Sequence, residues 1–134
     1  MKVVCTSGYY NPVHIGHIRL FREAQKGGNY VVVIVNNDEQ VKLKGSKPFM
    51  NEKERMEVIS SIKYVDKVIL SIDKDRTIKE TLKRINPDIF MKGGDSTPEN
   101  TPELELCKEL GIDVVFGVGG EKIQSSSWLK DGTI

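Results

Sequence analysis

Short apolar runs alternate with amphipathic stretches along the whole chain. Five runs rich in β-branched residues are apolar at nearly every position: KVVCTS (2–7), YVVVIVN (30–36), KVILS (67–71), DIFMKG (88–93) and DVVFGV (113–118). Continuous apolar runs of this length are typical of strands whose two faces are both covered, as in parallel sheets. The pattern therefore predicts five buried strands.

Helical patterns separate these runs. Four stretches carry apolar residues at helical spacing and are bounded by residues that favour helix ends: 15–28, 51–65, 76–85 and 101–111. Asn51 with Glu54 three positions later is a capping-box pattern, and Gly27-Gly28 is a stop signal. A short last helix is expected after Ser125. Strands that alternate with helices predict a doubly wound α/β fold, with a five-stranded parallel sheet in a single domain over residues 1–134.

The predicted topology selects where function should lie. In sheets of this kind, ligands bind beyond the carboxyl ends of the strands. Four segments follow predicted strands and are therefore the candidates: Ser7–His17, Asn36–Lys47, Lys92–Asp95 and Gly117–Ser127.

Composition narrows the classes of partner. Lysine and arginine total 20 and aspartate and glutamate 19, which argues against a protein built to coat nucleic acid or an anionic membrane. Cys5 and Cys107 show no CxxC spacing and are expected to be buried thiols, without a structural metal site. No apolar run approaches the ~20 residues that span a bilayer, and Met1 leads directly into a strand, so we expect a cytoplasmic protein.

The two histidines of the chain fall in the first candidate segment. His14 and His17 lie three positions apart, which places both imidazoles on one face of an opening helical turn, and Gly16 leaves the backbone between them accessible. Imidazoles beside a helix N-terminus are suited to binding an anion. Two alternatives remain: the pair can cap the helix, or it can supply two ligands of a zinc site that the sequence does not complete.

Four segments in order carry a family resemblance. HIGH (14–17) after the first strand resembles the HxGH signature of the nucleotidyltransferase superfamily. The segments KGSKPFMNEKERMEVISSIKYVDKVI (44–69), NPDIFMKGGDSTPE (86–99) and IQSSSWL (123–129) are similar to the corresponding family segments. The second of these closely resembles the adenylyltransferase domain that acts on heptose 1-phosphate in lipopolysaccharide-core biosynthesis. The resemblance implies a Rossmann-like fold and transfer of a nucleoside monophosphate from an NTP to a small phosphorylated acceptor, with release of pyrophosphate.

The resemblance also implies roles for individual residues. His14, His17 and Lys44 would be catalytic, and Lys42, Lys47 and Arg55 would bind the acceptor, although the lysines also suit a solvated loop and Arg55 suits an ion pair with Glu52. The residues implied to bind the nucleotide are Ser7, Gly8, Tyr9, Tyr10, Asn11, Gly16, Lys92, Gly94, Asp95, Ser125, Ser126 and Ser127. Mg²⁺ would arrive with the NTP, without dedicated protein ligands. A homodimer is implied as well.

Departures from the family pattern leave the substrate open. Asn11 stands where the family usually has Asp, which keeps hydrogen bonding and removes a charge. Cytidylyltransferases of the glycerol-phosphate type carry an arginine before the last motif, where this chain has VGGEKIQ with only Lys122. We therefore expect ATP rather than CTP. The alternatives are a CTP-dependent enzyme acting on glycerol 3-phosphate or a similar alcohol phosphate, and a regulatory module that binds a nucleotide without turnover. An NAD-dependent oxidoreductase is disfavoured because no GxGxxG follows the first strand.

Overall fold

The computed structural model describes residues 1–119, which form one parallel sheet with helices on both faces. The strands are β1 (Val3–Gly8), β2 (Tyr30–Val35), β3 (Lys67–Leu70), β4 (Ile89–Gly93) and β5 (Asp113–Val118). The α-helices are α1 (Ile15–Gln25), α2 (Asp38–Leu43), α3 (Glu52–Ser60), α4 (Lys79–Ile85) and α5 (Leu104–Leu110), with a 3₁₀ turn at Pro98–Asn100. All five predicted strands and four of these helices occupy predicted segments.

The sheet has the strand order β3-β2-β1-β4-β5, and every pair of neighbouring strands is parallel. The chain starts in the middle, builds outward to β3, and then returns to place β4 on the other side of β1. The order therefore reverses between β1 and β4, which confirms the predicted doubly wound, Rossmann-like fold and locates its switch point.

Alternate residues of the central strands feed two separate cores. Val31, Val33 and Val35 pack with Phe21 and Ala24 of α1 and with Ile59 of α3. On the opposite face, Val32, Ile34, Cys5 and Phe90 pack with Leu82 of α4 and Cys107 of α5. Both cysteines are buried free thiols, as expected. Burial on both faces explains why these strands are apolar at consecutive positions.

The two strands at the switch point separate toward their carboxyl ends. Among the described residues, the pairing of β1 with β4 is confined to Val4 with Ile89 and Cys5 with Phe90, although β1 continues to Gly8 and β4 to Gly93. By contrast, β1 pairs with β2 along its full length. This separation lies at the edge of the sheet where the sequence predicts a ligand crevice.

Helix α2 was not predicted, and residues 42–47 were expected to form a loop after β2. Asn37 caps this helix: its side chain accepts from the backbone N–H of Gln40, and the Gln40 side chain accepts from the backbone N–H of Asn37. Gln40 is buried and also donates to the carbonyls of Asp75 and Thr77. The Asn-x-x-Gln pattern is a capping-box signal in the sequence, but a helix of only six residues shows too little apolar periodicity to stand out.

Helix bounds differ from the predictions mainly at the ends. Helix α3 ends at Ser60 and not near residue 65, and α4 begins at Lys79 and not at residue 76. Asn51 caps α3 as predicted, but Glu54 accepts from the Asn51 side chain instead of closing a capping box onto the backbone. Within residues 1–119, no helix has both the length and the apolar character needed to cross a bilayer.

Candidate active site

A tightly packed loop follows β1. Tyr10 has a positive φ of 49° and is buried, and its ring lies directly over Gly8, where an added Cβ would come within 2.8 Å of the ring. The same ring contacts His17 edge-on at 4.8 Å between centroids and Phe21 at 5.7 Å. Packing against the Tyr10 ring therefore requires a glycine at position 8. Tyr10 itself belongs to the core, and its ring packs against His17.

The two histidines cap helix α1 and each other. The Nδ1 atom of His14 accepts from the backbone N–H of Gly16 at 3.1 Å, and Nδ1 of His17 accepts from the backbone N–H of His14 at 3.0 Å. The rings stack with centroids 3.9 Å apart. Because each Nδ1 accepts a hydrogen bond, the proton of each neutral ring must lie on Nε2. The capping interpretation is therefore correct, and it also orients two Nε2–H donors, which is the chemistry an anion site needs.

The environment of His17 keeps it neutral. Burial lowers the pKa of His17 to about 3 from its ordinary value of 6.5, and the neighbouring His14 contributes to the same shift. A neutral His17 donates through Nε2–H without carrying charge at physiological pH. The same proton disfavours the zinc alternative, because an Nε2 that carries hydrogen has no lone pair for a metal. Within residues 1–119, no three His, Cys, Asp or Glu side chains come together as metal ligands.

The lysines lie near the β1 loop in different ways. Lys44 ends helix α2, and its ammonium group sits 4.4 Å from the centroid of the Tyr9 ring, in a cation–π contact. Lys42 lies within α2, where it is exposed and ion-paired with Glu39 at 3.3 Å. Lys47 has an exposed side chain, while its carbonyl accepts from the side chain of Asn11 at 2.9 Å. The expectation of a loop is therefore wrong for Lys42, which lies in α2, whereas Lys44 follows the helix in a turn. Lys44 and Lys47 both come to the loop that carries the histidines.

The prediction that Arg55 binds the acceptor is wrong, because Arg55 is buried inside the protein. Its side chain is fully buried, and its guanidinium donates to the carbonyls of Tyr9 and Asn36, both at 2.7 Å. It also forms an ion pair with Asp38 at 2.7 Å, while the alternative partner Glu52 accepts from the Asp38 backbone. These bonds join the segments that follow β1 and β2. Arg55 therefore holds the loop after β1 in place through its backbone. Asp38 was missed because its position at the start of the short α2 was not foreseen.

The end of β4 lies on the other side of β1 from β2. Lys92 places its ammonium group 5.4 Å from the Phe90 ring on the same face of the strand. Gly94 and Asp95 lie in an exposed turn, and the Asp95 carbonyl accepts from the Asn100 side chain. Ser7 is half-buried in β1, across the switch point. Ser125, Ser126, Ser127 and the last predicted helix lie outside the described residues.

The family follows from comparison with known proteins. The cytidylyltransferase-like family model matches residues 5–118, which include the histidine pair and most of the five strands. The chain belongs to the cytidylyltransferase-like family. A crystal structure of a lipopolysaccharide core biosynthesis protein from Thermoplasma volcanium GSS1 has the same fold, with a TM-score of 0.72 and 32% identity over 87% of this chain and 94% of that one.

Curated relatives of this family member are nucleotidyltransferases. The bifunctional protein HldE of Desulfatibacillum aliphaticivorans is 32% identical over 97% of this chain and 27% of its own length, and HldE of Koribacter versatilis is 40% identical over 91% and 26%. The FAD synthase of Ferroglobus placidus is 40% identical over 84% of this chain and 72% of its own length. The chain thus spans about a quarter of the HldE proteins but most of the FAD synthase.

The neutral state of His17 predicts a pH dependence of stability. The unfolded chain takes up a proton near pH 6.5 that the folded chain refuses until about pH 3, so stability is lost as the pH falls through this interval. Between pH 7 and pH 5, wild type should lose about 2 kcal/mol more unfolding free energy than His17→Gln. Urea unfolding of both proteins at the two pH values measures the difference. Equal losses in both would show that the folded protein protonates His17 readily.

The buried guanidinium predicts a second stability effect. Arg55→Met removes every bond to the carbonyls of Tyr9 and Asn36 and leaves Asp38 without its cation, so the free energy of unfolding should fall by about 3 kcal/mol. Lys53→Met is the matched control, because Lys53 is exposed on the same helix; it should change stability by less than about 0.5 kcal/mol. Similar urea midpoints for the two variants would contradict the role given to Arg55.

Proposed function

We propose that this chain transfers AMP from ATP to a small phosphorylated acceptor and releases pyrophosphate. The observation that carries the proposal is the pair of Nε2–H donors fixed by Nδ1 capping at the N-terminus of α1, beside the switch point. Hydrogen-bond donors that converge at a helix N-terminus favour the binding of an anion. The triphosphate of ATP is the anion that we propose for this position.

The proposed reaction needs no covalent intermediate. An acceptor phosphate oxygen attacks the α-phosphorus of ATP, and the bond from that phosphorus to the leaving pyrophosphate breaks. Negative charge grows on the oxygens around the α-phosphorus, where His14 and His17 would donate hydrogen bonds that strengthen in the transition state. Lys44, held beside Tyr9, would offset charge on the leaving phosphates. Mg²⁺ would enter as the Mg–ATP substrate, held by phosphate oxygens and water.

ATP and a sugar or polyol phosphate are the favoured substrates for two reasons. The HldE relatives combine a heptose 7-phosphate kinase with a 1-phosphate adenylyltransferase, and the FAD synthase is named for a product that contains an AMP unit. FMN, the phosphate that yields FAD on adenylylation, carries its phosphate on a ribityl chain and is itself a polyol phosphate. A CTP-dependent reaction on an alcohol phosphate and nucleotide binding without turnover are the competing outcomes. The homodimer and the magnesium requirement stay predictions.

A substrate screen tests the proposal. Pyrophosphate release is measured with ATP, CTP, GTP and UTP, each paired with heptose 1-phosphate, FMN, glycerol 3-phosphate and ribitol 5-phosphate. Turnover with ATP and a sugar or polyol phosphate is expected. Turnover with CTP alone would select the cytidylyl alternative. Nucleotide binding without pyrophosphate release for any pair would contradict the enzyme and favour a binding module.

The role of His14 is tested by a variant that preserves its cap. His14→Asn keeps a side-chain acceptor for the N-terminus of α1 but removes the imidazole donor, so kcat should fall by about 10²–10³ with little change in stability. Ile15→Ala is the control, because Ile15 is a neighbouring, exposed residue of the same turn. Steady-state kinetics and thermal unfolding of both variants give the answer. A wild-type kcat in the His14→Asn enzyme would remove His14 from the chemistry.

A further inference from the structure

Asn11 ties two segments together that are far apart in sequence. Its side chain is almost fully buried; Nδ2 donates to the carbonyl of Lys47 at 2.9 Å, and Oδ1 accepts from the backbone N–H of Phe49. Both ends of the amide are therefore occupied by the backbone of one segment. We call residues 44–49 the lysine segment.

The pair of bonds requires an amide and excludes a carboxylate. One partner is a carbonyl that needs a donor, and the other is an N–H that needs an acceptor, so the side chain must offer one of each. An ionised aspartate can accept from Phe49 but has no hydrogen for Lys47, and it would set an oxygen against the Lys47 carbonyl. The residue that departs from the usual family pattern is thus the residue that fits the backbone of this particular segment.

Apolar burial contributes little to holding the lysine segment. Phe49 is 65% exposed, and the side chains of Lys44 and Lys47 are exposed as well. Further contacts include the cation–π contact of Lys44 with Tyr9 and backbone bonds from residues 45 and 46 back to α2. A segment with few buried apolar contacts opens readily, so each specific polar bond has a large share in keeping it closed.

We propose that Asn11 is a positioning residue that latches the lysine segment against the histidine loop, so that Lys44 is pre-arranged for the triphosphate and Lys47 for the acceptor phosphate. This inference rests on the proposed function for the identity of the ligand, whereas the latch itself is a property of the protein alone. Without the latch, ATP binding must first order the segment, and the affinity falls by the fraction of molecules in which the segment is closed.

The latch is tested by limited trypsin digestion of the full chain. The bond after Lys44 is the reporter, because Lys47 is followed by Pro48 and resists cleavage. Asn11→Asp should shift the segment about a hundredfold toward its open state, because one buried hydrogen bond is lost and a carboxylate oxygen then faces the Lys47 carbonyl. If the segment is open in about one wild-type molecule in ten, the cleavage rate at Lys44 rises about tenfold and the closed fraction falls about tenfold. Asn29→Asp is the matched control: it adds the same charge and loses a similar bond, from Asn29 Nδ2 to the Ala24 carbonyl, before β2 at the opposite edge of the sheet.

A second readout separates positioning from general loosening. The Kd for ATP, measured by calorimetry, should rise about tenfold in Asn11→Asp and stay unchanged in Asn29→Asp, and saturating ATP should return the cleavage rate of Asn11→Asp to that of wild type. The Kd should also rise in Phe49→Pro relative to Phe49→Ala, because Phe49→Pro removes the N–H that donates to Asn11 without adding a charge that repels the triphosphate. Equal cleavage rates in the two variants would overturn the latch. Fast cleavage in Asn11→Asp with a wild-type Kd would overturn its role in positioning. If wild type fails to bind ATP, the proposed function falls, and the cleavage comparison still decides the latch.

A backbone variant keeps the test decisive if Asn11→Asp does not fold. Phe49→Pro removes the N–H that donates to Asn11 from an exposed position, and Phe49→Ala removes the ring but keeps that N–H. Faster cleavage at Lys44 in Phe49→Pro than in Phe49→Ala is expected. Equal cleavage rates in these two variants would show that the bond from the Phe49 N–H to Asn11 does not hold the segment, and this would overturn the latch.

Discussion

A single buried guanidinium holds the carboxyl edge of the sheet together. Tyr9 follows β1 and Asn36 follows β2, and Arg55 donates to the backbone carbonyl of each. The charge is tolerated in the interior because Asp38 pairs with it, and removing either partner would leave an uncompensated ion. The Tyr9 ring contacts the ammonium group of Lys44. Tyr10 and Asn11, which contact His17 and the lysine segment, follow Tyr9 directly in the sequence. The histidine loop and the lysines beside it therefore depend on this arginine for their position.

The histidine pair shows how one arrangement meets a structural and a chemical requirement at once. Capping α1 consumes the Nδ1 lone pairs, and this fixes the tautomer that leaves hydrogen on Nε2. Burial and the neighbouring His14 lower the pKa of His17 and keep it uncharged. Donors of fixed orientation need no reorganisation as charge develops on a phosphoryl group, which is the source of their effect in catalysis.

The parts of the fold that depend on burial of apolar residues could be predicted from the sequence. The strands follow from continuous apolar runs, and the histidine pair from its spacing of three, because both signals are local. Arg55 was assigned to the crevice because a charged residue on a predicted helix is normally exposed, and its partners lie 46 and 19 positions away. Arg55 donates to the backbone carbonyls of Tyr9 and Asn36. Every residue type has such a carbonyl, so no pattern of side chains in the sequence predicts these bonds. The same holds for Asn11, whose partners at Lys47 and Phe49 are both main-chain atoms.

Asn11 also changes the charge balance around the proposed triphosphate. An aspartate in this position would bring a carboxylate to the loop that the phosphates must approach, and its charge would oppose that of the substrate. The amide makes the structural bonds without that charge, so it adds no carboxylate to the surroundings of Lys44 and Lys47. In water such a difference is small, but in a partly buried loop of lower effective dielectric it is several times larger. In the sequence, Asn11 marks the loss of an acidic group. In the structure, its uncharged amide holds the lysine segment through two backbone hydrogen bonds.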